Sequence, residues 1–481
     1  MKKIKEFIKK HDNIFFIILI SIIISGIALD CKLVYLSDEI WNFQNIYKMY
    51  NGLQIYKDAN VIITPLFFYV GEILFRIFGA NFFTFRIYNI LINTFLYFIV
   101  YLIFKEILNS KLKSLVYTLI VFLSCIVTVT VMSNYTSLVA ALFLLGTLLN
   151  LKEKENSILN GIIIFLIFMC KQNMGVYYIL ALVLKIIFID KLNKKYIINF
   201  IKQIIVFALL FIGYCCYLYI NNNLYNFISY CFLGIGEFKN NFMYDTTSVC
   251  LAIFLILVIL AFRYVLYKKN VNIDLRIKKI ECFSIMLLLM GYPIFNGTHL
   301  GIGSILLYVE EIILFDQFFL GEIFSIKAFI TFKNLLLIIL MCISCVHLIV
   351  YCNYISSHKY YYKVYNGAIV SDETLKEIKQ VVEFKQNNNK KTIVFGNKAA
   401  FYNIVTKESY DAMDLPFIGN FGAKGEDGMI EQIKDLRNTD VLIEKSEDDV
   451  CYQESFKIRN WIKENLKLVG EIDRYYIYET E

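Results

Sequence analysis

The chain has 481 residues, of which 58% are hydrophobic, 16% aromatic and only 19% charged, with a formal net charge of +7. That balance lies far outside the range of soluble domains and excludes a water-soluble enzyme of ordinary composition. The lysines are spread through short loops rather than massed on one segment, so the charge reports membrane topology and not a nucleic-acid surface.

The N-terminal MKKIKEFIKKH is a basic flank followed by an apolar run over 14–29, with no small-residue cleavage site behind it. This pattern predicts an uncleaved first span with its lysines in the cytoplasm. Further apolar runs lie at 83–104, 114–132, 137–151, 157–170, 175–188, 200–220, 248–262, 280–295, 302–319 and 334–352. They predict an all-α polytopic membrane domain of about 11 transmembrane helices over 1–352. With the N-terminus inside, the cytoplasmic loops collect most of the basic residues, among them Lys111, Lys113, Lys152, Lys194, Lys195, Arg276, Lys278 and Lys279. The opposite loops hold few, and the asymmetry places the long first loop, 30–82, and the C-terminal tail on the outer face. In the segment 302–319, Glu310, Glu311 and Asp316 interrupt the apolar run. Facing lipid they would cost about 3 kcal/mol each, so they must line protein or a wet cavity.

The first outer loop is too long and too patterned for a connector. It opens on YLSDEIWNF, where Ser37, Asp38 and Glu39 precede apolar residues at helical spacing (Ile40, Phe43, Ile46, Tyr47, Tyr50) that stop at Asn51-Gly52. This predicts a short helix lying on the membrane surface. A second follows, with Pro65 at its first turn, an apolar face of Leu66, Tyr69, Val70, Ile73, Leu74 and Ile77, and Gly79 as its stop. At about 14 residues it rises only about 21 Å, and Glu72 and Arg76 are spaced i, i+4 to pair, so it is interfacial rather than spanning. Capping by itself accounts for Ser37-Asp38-Glu39, since acids suit a helix N-terminus. A catalytic carboxylate accounts for them equally.

After about residue 353 the composition turns mixed and charged, predicting a soluble α/β domain over 353–481 on the extracytoplasmic side. Strands are expected at 391–395, 440–443 and 475–478, and helices at 372–385, 429–436 and 456–466. Gly396 after a strand is a turn or a phosphate cradle, but no Walker or GxGxxG context accompanies it, and the domain is assigned no chemistry. The 12 cysteines form no spaced framework, and Cys342 and Cys345 only place two soft residues on one helix face. The 4 histidines, His11, His299, His347 and His358, form no zinc-type cluster.

The stretch from Asp38 to Arg86, DEIWNFQNIYKMYNGLQIYKDANVIITPLFFYVGEILFRIFGANFFTFR, resembles the first outer loop of the GT-C superfamily of polyprenyl-phosphate-sugar-dependent glycosyltransferases. That superfamily includes the protein O-mannosyltransferases and the aminoarabinose transferases of lipid A. The shared features are the acidic pair, a G-x-x-x-Y-x-D-like element (Gly52, Tyr56, Asp58), a Pro-Leu-aromatic helix ending in Phe-Gly, and an Arg entering the next span, Arg86. Lys171-Gln172-Asn173-Met174-Gly175 is similar to the K-Q-N-x-G of bacterial members, and the stretch from Tyr292 to Leu300 to their P-R-x-D-x-x-H-L. Thr64 stands where several relatives carry Lys, Ile294 where they carry Arg, and Asn296 where they carry Asp. Two of the usual cations toward the donor phosphate are therefore missing.

The resemblance implies a membrane glycosyltransferase, hexosyl or pentosyl, that moves a sugar from a polyprenyl-phosphate donor to an acceptor hydroxyl on the outer face, with inversion. Asp38 is the expected base, with Glu39 as cap, orienting partner or alternative base. Lys171, Gln172, His299 and Arg86 are expected at the donor phosphate, and Tyr56, Asp58 and Asn296 at the acceptor. Lys171 as a snorkelling boundary lysine and Tyr56 with Asp58 as a plain turn are the structural alternatives. Asn296-Gly297-Thr298 is formally a glycosylation sequon, taken as chance. Partners are membrane lipid, the lipid-linked sugar and a glycan, lipid or protein acceptor, with no nucleic acid. No resident cofactor or metal ligand set is identified, and assistance by a divalent metal stays open. A different class, a transporter or flippase using Glu310, Glu311 and Asp316 as an intramembrane polar site, lacks the repeated halves and broken helices of transporters.

Overall fold

The computed structural model of the chain describes residues 12–30, 37–129, 134–152, 156–236, 243–268, 272–292, 294–295, 297–320, 362–363, 369–370, 372–395, 402–403, 406, 420–445 and 455–481. In chain order these form α1 (Asp12–Asp30), α2 (Ser37–Tyr50), α3 (Leu66–Phe78), α4 (Phe82–Leu108), α5 (Lys111–Val129), α6 (Tyr135–Leu151), α7 (Ser157–Cys170), α8 (Gln172–Phe188), α9 (Lys194–Ile220) and the short α10 (Leu224–Ile228). Then come β1 (Met243–Tyr244), α11 (Thr246–Lys268), α12 (Leu275–Leu288), β2 (Ile294–Phe295), α13 (Gly297–Gly303) and α14 (Ile305–Leu320). The C-terminal part holds β3 (Tyr362–Lys363), β4 (Ile369–Val370), α15 (Asp372–Asn387), β5 (Lys391–Phe395), α16 (Gly425–Lys434), β6 (Thr439–Glu444), α17 (Phe456–Asn465), β7 (Lys467–Ile472) and β8 (Tyr475–Glu479).

The apolar runs expected to span, up to 302–319, are helical over most of their described residues, except that the run at 280–295 leaves the helix after Leu288 and ends in β2 and the run at 302–319 is divided between α13 and α14; the run at 334–352 lies outside the described residues. Among the described residues three helices are long and apolar enough to cross a membrane, namely Phe82–Leu108, Lys194–Ile220 and Val249–Lys268. The expectation of about eleven spans is therefore met only in part, for a physical reason. Helices such as α7 and α12, with 14 residues each, rise about 21 Å against a hydrocarbon core of about 30 Å.

Local signals explain where several helices start. Asn134 Oδ1 accepts from Thr136 N at 2.8 Å, Asn156 Oδ1 from Leu159 N at 3.1 Å, and Asp274 Oδ1 from Arg276 N at 2.8 Å, each satisfying a donor the helix leaves free.

The chain clusters into two compact units, each drawn from three separate stretches. The first is Met1–Asp30, Asn89–Ile212 and Met243–Ser357. Its helices pack in a layer where α8 touches α7 and α12, and α14 touches α11 and α12. Gly161 marks a close approach, since a Cβ there would lie 2.6 Å from Val206 Cβ and 2.7 Å from the Gln203 carbonyl oxygen of α9. Small residues at helix contacts allow such approach within a membrane.

The second unit is Cys31–Tyr88, Gly213–Phe242 and His358–Glu481. Its sheet has the order β5-β6-β8-β7, with β5 parallel to β6 and the other pairs antiparallel. The helices α16 and α17 supply Met429, Ile433, Ile458 and Ile462 to a core completed by Ile393, Phe395, Val441 and Ile443. The α/β layer is as expected, and β7 is an addition. Its residues are mostly exposed, so it carries little of the apolar run that marks a strand in sequence.

In the same unit the two expected loop helices are present as α2 and α3. A one-sided surface helix was expected for α2, yet from Glu39 to Met49 nearly every residue is buried, polar ones included, so its companions cover it all round. On α3 the packed face is Phe67, Phe68, Gly71 and Phe75, while Ile73 and Ile77 stand outward at 57% and 65% exposure. Gly71 lets the two helices close, because a Cβ there would fall 2.3 Å from Ile46 Cδ1. Gly79, at φ +88°, ends α3 in a conformation open to glycine.

Candidate active site

In the second unit, α2 begins at Ser37, which puts Asp38 and Glu39 in its first turn. The side chain of Asp38 lies outside the described residues. Glu39 is wholly buried and meets Arg86, near the start of α4, in a two-pronged pair: Nη1 to Oε1 at 2.9 Å and Nη2 to Oε2 at 3.0 Å. Taking two charges out of water costs several kcal/mol per ion, and fork-to-carboxylate geometry with opposite charges is what offsets it. A carboxylate held this way is fixed in direction, suited to orienting its neighbours. Arg86, expected at a donor phosphate, is engaged by Glu39. Farther along α2, Asn42, Gln44, Asn45 and Lys48 are buried too, and both side-chain polar atoms of Gln44 lack a hydrogen-bond partner among the described residues. Sequence reading missed this buried polar row because it read α2 as a short helix lying on the membrane surface.

The G-x-x-x-Y-x-D element forms the loop between α2 and α3. Gly52 has φ +90°, and Tyr56 takes φ +70°, which is unusual for a side chain of its size. Tyr56 is buried and its hydroxyl donates to the Ile63 carbonyl at 2.9 Å. Burial, first of all, pushes its phenol well above the ordinary range, so it stays a neutral donor. Asp58 Oδ2 accepts from Gln54 N at 2.7 Å and closes the turn. Both residues build the loop. Glu72 and Arg76 pair as their spacing predicts, Nη2 to Oε1 at 2.6 Å.

In the first unit, α7 breaks into α8 at Lys171, whose extended backbone (φ −157°, ψ 110°) caps both helices. Its ammonium is buried, lies 3.5 Å from the Met290 carbonyl oxygen and sits 5.7 Å from the centroid of the Tyr135 ring. Gln172 follows, also buried. His299, on α13, is close enough for Lys171 to act on it: loss of water contact, with the Lys171 charge as a second cause, holds its imidazole down at about 3. The imidazole is neutral at physiological pH. Lys171, Gln172 and His299 thus gather in the first unit, and Arg86 belongs to the second. Asn296 lies outside the described residues. No group of three or more His, Cys, Asp or Glu side chains able to hold a metal occurs among the described residues.

Two of the three acids of α14 are bound to other side chains of the protein. Glu310 meets Arg263 at 3.3 Å and accepts from Ser284 Oγ at 2.9 Å, while Asp316 meets Lys113 at 2.9 Å and Tyr117 Oη at 2.6 Å. These ties hold α14 to its neighbours and leave those two carboxylates committed, which is not the arrangement of an open substrate path.

The sequence matches no family model and no curated protein sequence. Among solved structures, the chain is similar to ArnT from Cupriavidus metallidurans bound to undecaprenyl phosphate, at a TM-score of 0.58 and 9% identity over 97% of both chains. Its apo state gives a TM-score of 0.57 at 8% identity, again over 97% of each chain. The chain therefore shares the fold of these two structures over 97% of its length, in keeping with the resemblance of the loop motif.

Proposed function

We propose that the protein is a membrane glycosyltransferase that moves a sugar from a polyprenyl-phosphate donor to an acceptor hydroxyl on the outer face. The observation that carries this reading is the full-length likeness to a fold whose solved example was bound to undecaprenyl phosphate, together with an acid pair in the first turn of α2. A GT-C fold by itself does not fix an activity, and the residues add the chemistry.

In this reading Asp38 takes the proton of the acceptor hydroxyl. The acceptor oxygen attacks the anomeric carbon, the bond from that carbon to the phosphate oxygen breaks, and its electron pair leaves with the polyprenyl phosphate. One displacement inverts the configuration. Glu39, fixed by Arg86, orients the acid turn. Lys171 with Gln172 and the neutral His299 supply charge and N–H donors to the departing phosphate. Tyr56, Asp58 and Asn296 act on the acceptor side, the first two through the loop they build.

The outer-face assignment draws support from how the chain divides. The second unit gathers the stretches that charge asymmetry puts outside, namely the first loop, the region after α9 and the C-terminal domain. A transporter is not favoured, since Glu310 and Asp316 are committed to ion pairs.

The test uses purified protein in vesicles with a panel of undecaprenyl-phosphate-linked hexoses and pentoses, following release of undecaprenyl phosphate in the presence of envelope acceptors. Release that depends on Asp38 supports the reading. Transbilayer movement of the intact donor without release would replace it by the flippase alternative.

A further inference from the structure

The second unit contains a cavity of about 200 Å³ that the proposed mechanism leaves unassigned. It lies between the loop after α2, the outer side of α3 and the last turn of α9. Its walls carry Tyr69, Glu72, Arg76, Tyr217, Gln54 and Asn221. At this size, below the roughly 300–1,000 Å³ of a pocket for a drug-sized ligand, it takes a single ring.

The lining selects the chemistry of that ring. The tyrosines give faces for C–H-rich surfaces, and Tyr217 is 54% exposed. Gln54, Asn221, Glu72 and Arg76 are planar polar groups able to bind adjacent hydroxyls in pairs. The cation and the anion are already paired at 2.6 Å, so they present no net charge. That excludes a phosphate as the preferred occupant, and it argues against the donor's sugar, which carries a phosphate on its anomeric carbon. A neutral polyol fits.

The cavity is also held in shape by contacts around its loop. Asn223 Nδ2 donates to the Ile55 carbonyl at 2.7 Å, Tyr56 packs edge-on against Phe227, and the Asp58 carboxylate fixes the backbone of Gln54. Gly52 and Tyr56, both at positive φ, turn the loop so that Gly52 to Ile55 face the cavity. The loop motif that the sequence shows thus has a product, a wall of this pocket. Around it stand exposed Ile73, Ile77, Tyr219 and Ile220, the apolar and tyrosine rim expected where a protein meets a membrane surface.

From this geometry we propose that the cavity binds a neutral pyranose of the acceptor, presented at the membrane surface; its assignment to the acceptor rests on the transferase reading, while the binding of a sugar does not. The experiment is saturation-transfer NMR on the full-length protein in nanodiscs, with the methyl glycosides of glucose, galactose, mannose and N-acetylglucosamine and with inorganic phosphate as separate probes. At least one glycoside should give saturation transfer, falling at least fivefold in Tyr217→Ala and in Gln54→Ala, kept in Tyr217→Phe and in Asp38→Asn, with phosphate failing to compete. Gel filtration and thermal unfolding confirm that each variant is folded. No glycoside signal, a signal indifferent to both alanine variants, or displacement by phosphate overturns the proposal. Where transfer can be assayed, Gln54→Ala should raise KM for the acceptor at least fivefold and leave that for the donor unchanged, and the reverse split overturns the assignment. Absence of any transfer, with pocket-dependent glycoside binding intact, would sink the transferase reading and leave the sugar site standing.

Discussion

Replacing Glu39 by Ala removes one half of a fully buried ion pair and strands the Arg86 guanidinium, which is itself only 6% exposed. Both prongs of that pair are near 3 Å, at 2.9 and 3.0 Å, so a charge-assisted hydrogen bond and a second close ionic contact vanish while the cation stays desolvated. Breaking a buried pair from one side costs about 3–5 kcal/mol. At about 2–4 °C per kcal/mol for a cooperative unit of roughly 150–250 residues, the unfolding midpoint should fall by about 6 °C or more. Removing both partners, as Glu39→Met with Arg86→Met, leaves no orphaned charge and should recover more than half of the loss. The assay is thermal unfolding of the detergent-solubilised protein followed by tyrosine and tryptophan fluorescence, with Glu39→Ala beside the cycle of the parent, Glu39→Met, Arg86→Met and the double Met variant. A Glu39→Ala midpoint within 1 °C of the parent, or a double variant as unstable as the two single losses added, would refute the claim that the pair is buried and coupled.

Asp38→Asn should fold as the parent does and lose about 10²–10⁴-fold in transfer rate, the range for removal of a general base, measured by initial rates at saturating acceptor. His299 gives a pH signature. Its folded pKa of about 3 lies below the ordinary imidazole value of 6.5, so the unfolded chain binds the proton first, and stability present above about 6.5 is lost as pH falls toward 3. His299→Gln should flatten that part of the stability profile, and an unchanged profile would contradict the neutral imidazole. Gly161→Ala places a methyl against the α9 backbone and should destabilise by about 1–3 kcal/mol through overpacking, read as a lower unfolding midpoint, whereas Gly213→Ala, with open space at its Cβ, should not.

The helices were legible because hydropathy and capping act locally. The runs behind α4 and α9, the Pro65 start and Gly79 stop of α3, and the Glu72–Arg76 spacing all translate directly into structure. Three things were not legible. The burial of α2 on every side depends on what covers it, and its own amphipathic pattern points to one packed face only. The pairing of Glu39 with Arg86 joins residues 47 positions apart, and no spacing rule relates them. The gathering of the first loop with the C-terminal domain into one unit is likewise a property of three-dimensional contact, invisible to a pass along the chain. At the candidate site, the motifs proposed Lys171, Gln172 and His299, and the structure adds the helix break that positions the first two and the closeness of Lys171 to His299.

The most direct measurement of the central claim is mass spectrometry of envelope glycans and lipids from cells lacking the protein, complemented with the parent chain or with Asp38→Asn at matched membrane levels. The account predicts that one hexose or pentose mass disappears from an envelope component, returns with the parent, and stays missing with Asp38→Asn. Restoration by Asp38→Asn equal to that by the parent, or an envelope with every sugar in place, would contradict it.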